Sequence, residues 1–416
     1  MLVAVLYGGD SCEKEVSVIT GIQVMNALKG RHAVVPVYMT EEGFFSPKDA
    51  CSIATYLGKK ARRRRVYLTE RGLYRKRTGV LVPFARPECV VVCTHGGSGE
   101  NGEVQGMLSS LKLPYTCVSV EGSAIGMNKV LSKRLFDALG LRSAKWRSYP
   151  VSMTDDEIAD DAVAELGLPL CVKPCRQGSS IGVAVCRDRD AVANAVAVAR
   201  CFDDDVLIER AFVDFEEVNC ACLTRGGEIV VSETERIVPW HEMLGYEDKY
   251  LRGAKDAPGR ECPAKIPSAL SDEIKAATEK IYRALGARGV VRVDFFVADG
   301  SVCVGEVNTV PGSLAAYLFK PLGMSAADVV DALIEQAIAP SGEKKYKFDS
   351  PLLFQYLNAR FKCLQNRRQN NIITFESASF SRLSLLAITI LGQCPRRNRW
   401  KKSVWTRRWS RWTATR

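Results

Sequence analysis

Apolar residues in this chain come in short runs broken by glycine, and between the runs they recur at helical spacing. Leu2 to Tyr7 is a continuous apolar run that stops at Gly8-Gly9. From Glu15 to Leu28, the residues Val18, Ile22, Met25 and Leu28 fall on one helix face, and His32 to Met39 is again strand-like. Strand, glycine turn, helix, strand is how a doubly wound parallel sheet begins. Cys89 to His95 predicts another buried strand, followed by the glycine-rich stretch Gly96 to Gly102. Between them, residues 44–80 read as an insertion whose Arg62 to Arg65 charge run is a solvated turn. From Ser123 the pattern changes to a helix through Lys129, Lys133 and Leu139, then strands around Arg147 to Pro150 and Leu170 to Lys173. Residues 213–340 hold longer, antiparallel-looking strands, and a helix from an N-cap at Ser325 to Ala339 closes the pattern. The predicted fold is α/β, with an N-terminal doubly wound domain over 1–117, a central subdomain over 118–212, a C-terminal subdomain over 213–348 and a terminal segment over 349–416.

The segment from Arg292 to Gly312 says most about chemistry. Two runs rich in β-branched and aromatic residues flank Asp299-Gly300, a hairpin turn signal. A three-residue loop, Asp299 to Ser301, sets Asp294 opposite Glu306 and Arg292 opposite Asn308, all on one face because side chains alternate along a strand. A two-residue loop would slip the register and send Asp294 and Glu306 to opposite faces. Two carboxylates, an amide oxygen and a guanidinium in one cluster suit Mg²⁺, which completes its shell with water and nucleotide phosphates. The competing reading is a surface hairpin with cross-strand charges. Facing acids repel unless a cation joins them, which opposes it.

Composition changes this picture only at the end of the chain. The 416 residues are 47% hydrophobic, enough for buried cores in several domains. No apolar run reaches the roughly 18 residues of a membrane span. The first residues lack a basic region and run directly into a strand, which is unlike a signal peptide. The 15 cysteines are odd in number, scattered through apolar segments and without a C-x-x-C pair, so buried reduced thiols in a cytoplasmic protein are expected. The net charge of +11 invites a nucleic-acid partner, but residues 354–416 hold 14 Lys or Arg against one acid, Glu376. The preceding 353 residues carry 44 bases and 46 acids, so no nucleic-acid or membrane partner is expected for the body.

Two more segments carry candidate chemistry. Lys173 to Cys186 places Gly178, Ser179, Ser180 and Gly182 between two short apolar strands, where hydroxyls and backbone N–H groups can surround phosphate oxygens. An ordinary flexible hairpin fits the same residues. It is no Walker loop, because the basic residue precedes the glycines, and no G-x-G-x-x-G follows the first strand. Asp205 to Phe212 then offers a strand ending in Glu209 and Arg210, able to meet an adenine edge near Phe212, with Glu217 placed for ribose hydroxyls. Acids after a strand are common, so this segment decides nothing alone.

Taken in order, these residues resemble the ATP-grasp superfamily and, within it, the D-alanine–D-alanine ligases. The resemblance runs over residues 2–340, through Gly8-Gly9 to Ser17, His95 to Gly102, Gly126 to Lys129, Lys173 to Gly182, Lys249-Tyr250, Arg292 to Asp294 and Glu306 to Gly312. It implies a pre-ATP-grasp N-terminal domain followed by a two-subdomain ATP-grasp fold. It also implies a homodimeric cytoplasmic enzyme using ATP and a pair of Mg²⁺ ions, with Mn²⁺ as a substitute, to make D-alanyl-D-alanine for peptidoglycan. In such enzymes the γ-phosphoryl of ATP passes to one D-alanine carboxylate, and the amine of a second attacks the acyl phosphate. By the same resemblance Lys129, Lys173 and Lys249 hold ATP phosphates, while Ser180, Glu209, Arg210, Phe212 and Glu217 complete the nucleotide site. Asp294, Glu306 and Asn308 match the metal ligands; Arg292 and the backbone N–H of Gly312 match the oxyanion donors. Glu13 matches the acceptor of the first substrate's ammonium, Ser179 and Tyr250 its hydrogen-bonded partners, and His95 a neighbour of that substrate's carboxylate. Each has a plainer reading: Glu13 suits a helix N-terminus, His95 a satisfied strand-end histidine, and Tyr250 a loop anchor. The loop at residues 236–256 is expected to close over the site and exclude water.

One position departs from the family pattern. Where a Ser-Leu pair should help bind the second substrate's carboxylate, this chain has Tyr317-Leu318, so the hydroxyl of Ser313 or Tyr317 is expected to substitute. Tyr250 favours an amine as second substrate; a D-alanine–D-lactate ligase or another ATP-grasp carboxylate–amine ligase is the alternative. The resemblance stops near residue 353. Beyond it, arginines interleave with four of the six tryptophans, Trp400, Trp405, Trp409 and Trp412. So abrupt a break predicts a disordered extension, such as an out-of-frame or read-through segment gives. A surface for anionic lipid or single-stranded nucleic acid is the competing reading.

Overall fold

The structure is a computed structural model and describes residues 1–238, 259–339 and 352–357. The first strand, β1 (Leu2–Gly8), is buried along nearly its whole length, as a continuous apolar run in a two-sided parallel sheet should be. Helix α1 (Lys14–Ala27) connects it to β2 (Ala33–Thr40), which pairs with β1 in parallel. The chain continues through β3 (Gly43–Phe45), β4 (Arg65–Thr69), β5 (Gly72–Arg77) and β6 (Val80–Ala85) before β7 (Cys89–Val92) returns to the other side of β1. After α2 (Glu103–Ser110), β8 (Tyr115–Thr116) completes an eight-stranded sheet in the order β6-β5-β4-β3-β2-β1-β7-β8.

Residues 44–80 are therefore a continuation of the sheet, while the charge run itself is the turn into β4, with Arg62, Arg63 and Arg65 exposed. Arg65 opens β4, and its guanidinium stands 6.0 Å and 5.8 Å from the ring centres of Phe45 and Tyr67. Arg62 meets Glu42 at 2.8 Å. Arg65 stays exposed beside these two rings, one from β3 and one from its own strand.

Helices α3 (Val120–Met127) and α4 (Lys129–Ala138) follow, each capped by the residue before it, Ser119 and Asn128. A second sheet, entirely antiparallel in its pairings, has the order β11-β10-β12-β9 and contains β9 (Trp146–Tyr149), β10 (Leu170–Pro174), β11 (Ala184–Cys186) and β12 (Val206–Arg210). It buries Val172 and Ile208 against Ile158 of α5 (Asp155–Leu166) and Val196 of α6 (Arg189–Arg200). The third sheet is built from β13 (Glu216–Arg225), β14 (Glu228–Val231), β15 (Glu235–Val238), β16 (Gly259–Glu261), β17 (Val291–Ala298) and β18 (Ser301–Asn308), with α7 (Ser268–Ala284) packed on it. Phe136 of α4 joins that third core, while α8 (Ala326–Ile338) returns to the first, placing Val329, Leu333 and Ile334 in one cluster with Val5 and Val91. Ser325 caps α8 in a capping box with Asp328, as the sequence predicts. Residues 1–341 form one compact unit and residues 342–416 a second, in which 352–357 are helical. Every cysteine among the described residues is a free thiol, and most are buried. No helix among the described residues is long and apolar enough to cross a membrane.

The hairpin of β17 and β18 differs from the expected one in an instructive way. Ala298 pairs with Ser301, so the loop is the two residues Asp299-Gly300, both with positive φ (50° and 67°), the conformation that suits the twist of a tight hairpin. That loop should separate Asp294 from Glu306, yet the two are paired, as are Arg292 and Asn308. The register shifts between Asp294 and Phe295, where Gly305 is left over as a β-bulge. A Cβ there would lie 2.9 Å from the Asp294 carbonyl oxygen and 2.8 Å from the Phe296 ring. The extra residue cancels the slip of the short loop.

Candidate active site

Two chambers meet at this hairpin. One, of about 370 Å³, is walled by Glu13, His95, Ser179, Arg292, Asn308, Gly312, Ser313 and Tyr317. The other, of about 450 Å³, is walled by Lys129, Lys173, Glu209, Arg210, Phe212 and Phe296. Ser180, Glu217, Asp294 and Glu306 line both. The expected residues Lys249 and Tyr250, with most of the loop at 236–256, lie outside the described residues.

In the smaller chamber Glu13 occupies the N-cap position of α1 but makes no capping bond; its carboxylate accepts the Ser179 hydroxyl instead. Two glycines let the backbone come this close: a Cβ on Gly96 or Gly178 would stand 2.4 Å or 2.6 Å from Glu13 Oε2. Burial raises the Glu13 pKa, and the nearby Glu100 raises it further, against the Ser179 hydrogen bond. Glu100 itself is raised by burial. It accepts the backbone N–H of Gly96 (3.1 Å), Thr309 (3.1 Å) and Val310 (2.9 Å), tying the loop after β7 to the loop after β18.

His95 reaches this wall with both ring nitrogens engaged. Nδ1 donates to the Val310 carbonyl at 2.7 Å, which leaves Nε2 to accept from Thr20 Oγ1 at 2.9 Å. Thr20 Oγ1 accepts in turn from the Ser313 N–H at 3.2 Å. Burial lowers the His95 pKa, in keeping with a neutral ring, while Glu13 pulls the other way. The satisfied strand-end histidine thus describes the geometry, and it also connects α1 to the Pro-Gly loop. Past Gly312, Ser313, Leu314 and Ala315 all have positive φ (54°, 49° and 49°). A left-handed turn of non-glycine residues costs roughly 1–2 kcal/mol per residue. Leu314 and Ala315 are buried, and their packing holds it.

On the shared wall Arg292 grips Asp294 from the same strand face, Nε to Oδ1 at 2.6 Å and Nη2 to Oδ2 at 2.9 Å. The charge of Asp294 holds the Arg292 pKa up although burial works against it. Asn308 Nδ2 donates to Asp294 Oδ2 at 3.0 Å, and Lys129 Nζ meets Glu306 Oε1 at 2.6 Å and the Gln177 carbonyl at 2.5 Å. Two carboxylates and an amide, already served by protein cations, are a hard-oxygen donor set that fits Mg²⁺ brought in with phosphates. No group of three or more His, Cys, Asp or Glu placed to share a metal occurs among the described residues.

In the larger chamber Glu209 is buried between two lysines, Lys173 and Lys133, the latter at 2.8 Å. Burial alone would raise its pKa; the two charges win and hold it at about 2. Lys173 is pushed up by Glu209 despite its own burial. Phe212, Phe215 and Phe296 form an aromatic group with ring centres 5.0–6.4 Å apart, a surface suited to a planar base. Arg210 lines the chamber while its guanidinium donates to the Leu166 carbonyl at 3.1 Å, which anchors it to the end of α5.

Three residues without a role in the sequence reading belong here: Glu100, Lys133 and Arg260. Lys133 lies one helical turn past Lys129, with Phe136 on the buried face of α4; a lysine on an apolar stripe was the available signal. Glu100 stood inside the glycine-rich stretch, and nothing in the sequence marked Arg260.

The family description "D-ala D-ala ligase N-terminus" matches residues 2–118, and "D-ala D-ala ligase C-terminus" matches residues 135–335. The chain is 35% identical over 364 residues to D-alanine–D-alanine ligase A of Mesorhizobium japonicum, covering 81% of this chain and 97% of that one. It is 32% identical over 368 residues to the D-alanine–D-alanine ligase of Geobacillus thermodenitrificans, covering 82% and 97%. Among solved structures, D-alanyl-alanine synthetase A of Vibrio cholerae superposes with a TM-score of 0.70 at 25% identity, covering 82% of this chain and 99% of that one. The VanG D-Ala:D-Ser ligase of Enterococcus faecalis gives 0.69 at 25%, covering 81% and 99%. The architecture is accordingly an N-terminal α/β domain followed by an ATP-grasp region. On these matches, over most of its length, the chain belongs to the D-alanine–D-alanine ligase family.

Proposed function

We propose that this protein joins two D-alanines into D-alanyl-D-alanine at the expense of ATP, through a D-alanyl phosphate, for peptidoglycan in the bacterial cytoplasm. The observation that carries this reading is the shared wall: Asp294 and Glu306 line both chambers, so a nucleotide in one can pass its phosphoryl group to a substrate in the other. In this reading the base of ATP lies against Phe212, with Glu209 at its edge and Glu217 at the ribose, and Lys129, Lys173 and the Ser180 loop hold the phosphates. Asp294, Glu306 and Asn308 would hold Mg²⁺ or Mn²⁺, which neutralises charge on the transferred phosphoryl. Glu13, aimed by Ser179, receives the ammonium of the first D-alanine and directs its carboxylate to the junction. Transfer breaks the bond between the γ-phosphorus and its bridging oxygen and leaves ADP. The amine of the second D-alanine then attacks the acyl carbon, the developing oxyanion faces Arg292 and the Gly312 N–H, and phosphate departs. His95 acts through Thr20 and Ser313, holding the Gly312 loop in place. Lys249 serves the γ-phosphate and Tyr250 the first substrate, by resemblance. The reading also includes a homodimer and the division at residues 117, 212 and 348.

Phosphate release from ATP and Mg²⁺ with D-alanine, L-alanine, or D-alanine plus D-lactate, with products identified by mass, tests it. D-alanine-dependent release and a D-alanyl-D-alanine product are expected. Turnover with a different amino acid only would overturn the substrate and keep the phosphoryl chemistry. A second reading, with D-alanine first and a different acceptor second, is favoured by Tyr317-Leu318, and the product mass separates the two.

A further inference from the structure

Arg260 lies on β16, paired with Ile237 of β15, at the mouth of the substrate chamber. Its guanidinium carbon stands 5.4 Å over the Tyr317 ring. Nη1 donates to the Tyr317 hydroxyl and to Glu235 Oε1, both at 3.3 Å. Glu235 is 1% exposed and Arg260 is 54% exposed, so a buried acid anchors one end of a half-exposed fork. Arg260, Ser313 and Tyr317 also line an adjoining open groove of about 410 Å³ that includes Lys320.

Among the described residues, two arginines line the chamber, and they are differently occupied. Arg292 holds Asp294 in two-point fashion with one edge of its fork, Nε and Nη2. Arg260 meets Glu235 and Tyr317 through one nitrogen. Stacking fixes its plane, and the Glu235 contact fixes its rotation about that plane. A rigid planar fork of this kind recognises a carboxylate in two-point fashion, which a mobile ammonium does not. The acceptor amino acid must direct its amine at the acyl carbon, whose oxyanion faces Arg292 and Gly312, so its carboxylate trails toward the wall of Ser313, Tyr317 and Arg260.

We propose that Arg260 binds the carboxylate of the second, amine-donating substrate, with Tyr317 and Glu235 as positioning residues that set its guanidinium. This rests on the ligase reading and deepens it. The residue at the departing position then acts through an arginine: its hydroxyl already accepts from Arg260.

The test is steady-state kinetics of the full chain over a range of D-alanine concentrations, resolving the KM of each site, with D-alaninamide as an acceptor that lacks the carboxylate. Arg260→Ala should raise the second-site KM about 10- to 100-fold, the size of a lost charge-assisted hydrogen bond. The KM values for ATP and the first site should stay within about twofold, showing an intact fold. The preference of wild type for D-alanine over D-alaninamide should collapse in Arg260→Ala and return in part in Arg260→Lys. Tyr317→Phe, which keeps the ring and loses the hydroxyl, should raise the second-site KM about threefold. An unchanged second-site KM in Arg260→Ala, or equal losses with both acceptors, overturns the proposal. Wild-type enzyme that ignores D-alanine altogether would instead overturn the ligase reading beneath it.

Discussion

The two chambers set buried carboxylates against each other. Glu209 in the nucleotide chamber is among the most buried acids of the fold, yet its pKa falls to about 2 because two lysines flank it. Glu13 and Glu100 in the substrate chamber are raised, first by burial and, for Glu13, then by each other's proximity. Burial acts in one direction in all three; the partners decide the outcome. The nucleotide chamber is preset as a fixed anion within a ring of cations. The substrate chamber is acid-rich and waits for the cation that an amino acid's ammonium supplies.

The sharpest way to break this comparison is to remove the wall both chambers share. Gly305→Val would set a side chain against the Asp294 carbonyl oxygen and the Phe296 ring and so displace the paired acids, and turnover should fall by at least about 100-fold with weakened ATP binding, read by kinetics and nucleotide titration. Normal ATP affinity in that variant would mean the acids do not depend on the bulge. Next, Lys133→Met leaves Glu209 buried with one partner and should cost about 3–5 kcal/mol in urea unfolding. Because the folded pKa of Glu209 lies below its ordinary 4.5, its contribution is full above that value and is lost as pH falls toward about 2. The variant should therefore begin acid unfolding at higher pH; a loss under about 1 kcal/mol would show Lys173 sufficient. Phe212→Leu should raise the KM for ATP about 2- to 10-fold and leave both D-alanine constants alone, so a change in those constants would show the chambers to be coupled. The smallest effect concerns pH. Removing the charge of Glu100 in Glu100→Gln lowers the Glu13 pKa, so the acid limb of kcat/KM for D-alanine should move to lower pH. An unmoved limb would mean Glu13 does not govern it.

The sequence made the shared wall legible but not the reason for it. Arg292, Asp294, Glu306 and Asn308 do share one face, yet through a tight two-residue turn and a bulge rather than a three-residue loop. A glycine inside an apolar strand is too weak a signal to announce a bulge. The strands of residues 65–85 were hidden for a related reason: exposed arginines at a strand start give no strand signal of their own. Lys133 was visible only as a helix marker, because its carboxylate partner comes from a strand more than 70 residues later. Arg260 was invisible, since its meaning depends on Tyr317 and Glu235 from two other elements.

The bulge at Gly305 also says how this hairpin can change length. Which way a strand side chain points is a matter of parity, and the tip and the bulge each contribute one count to it. A relative that gained a residue at Asp299-Gly300 and lost the bulge would present the same acids to the same nucleotide. Two such sequences would align with a pair of offsetting gaps, one at the tip and one in the strand. What the two sequences would share is the facing of Asp294 and Glu306, reached with three unpaired residues in either arrangement, and neither gap alone is a measure of divergence.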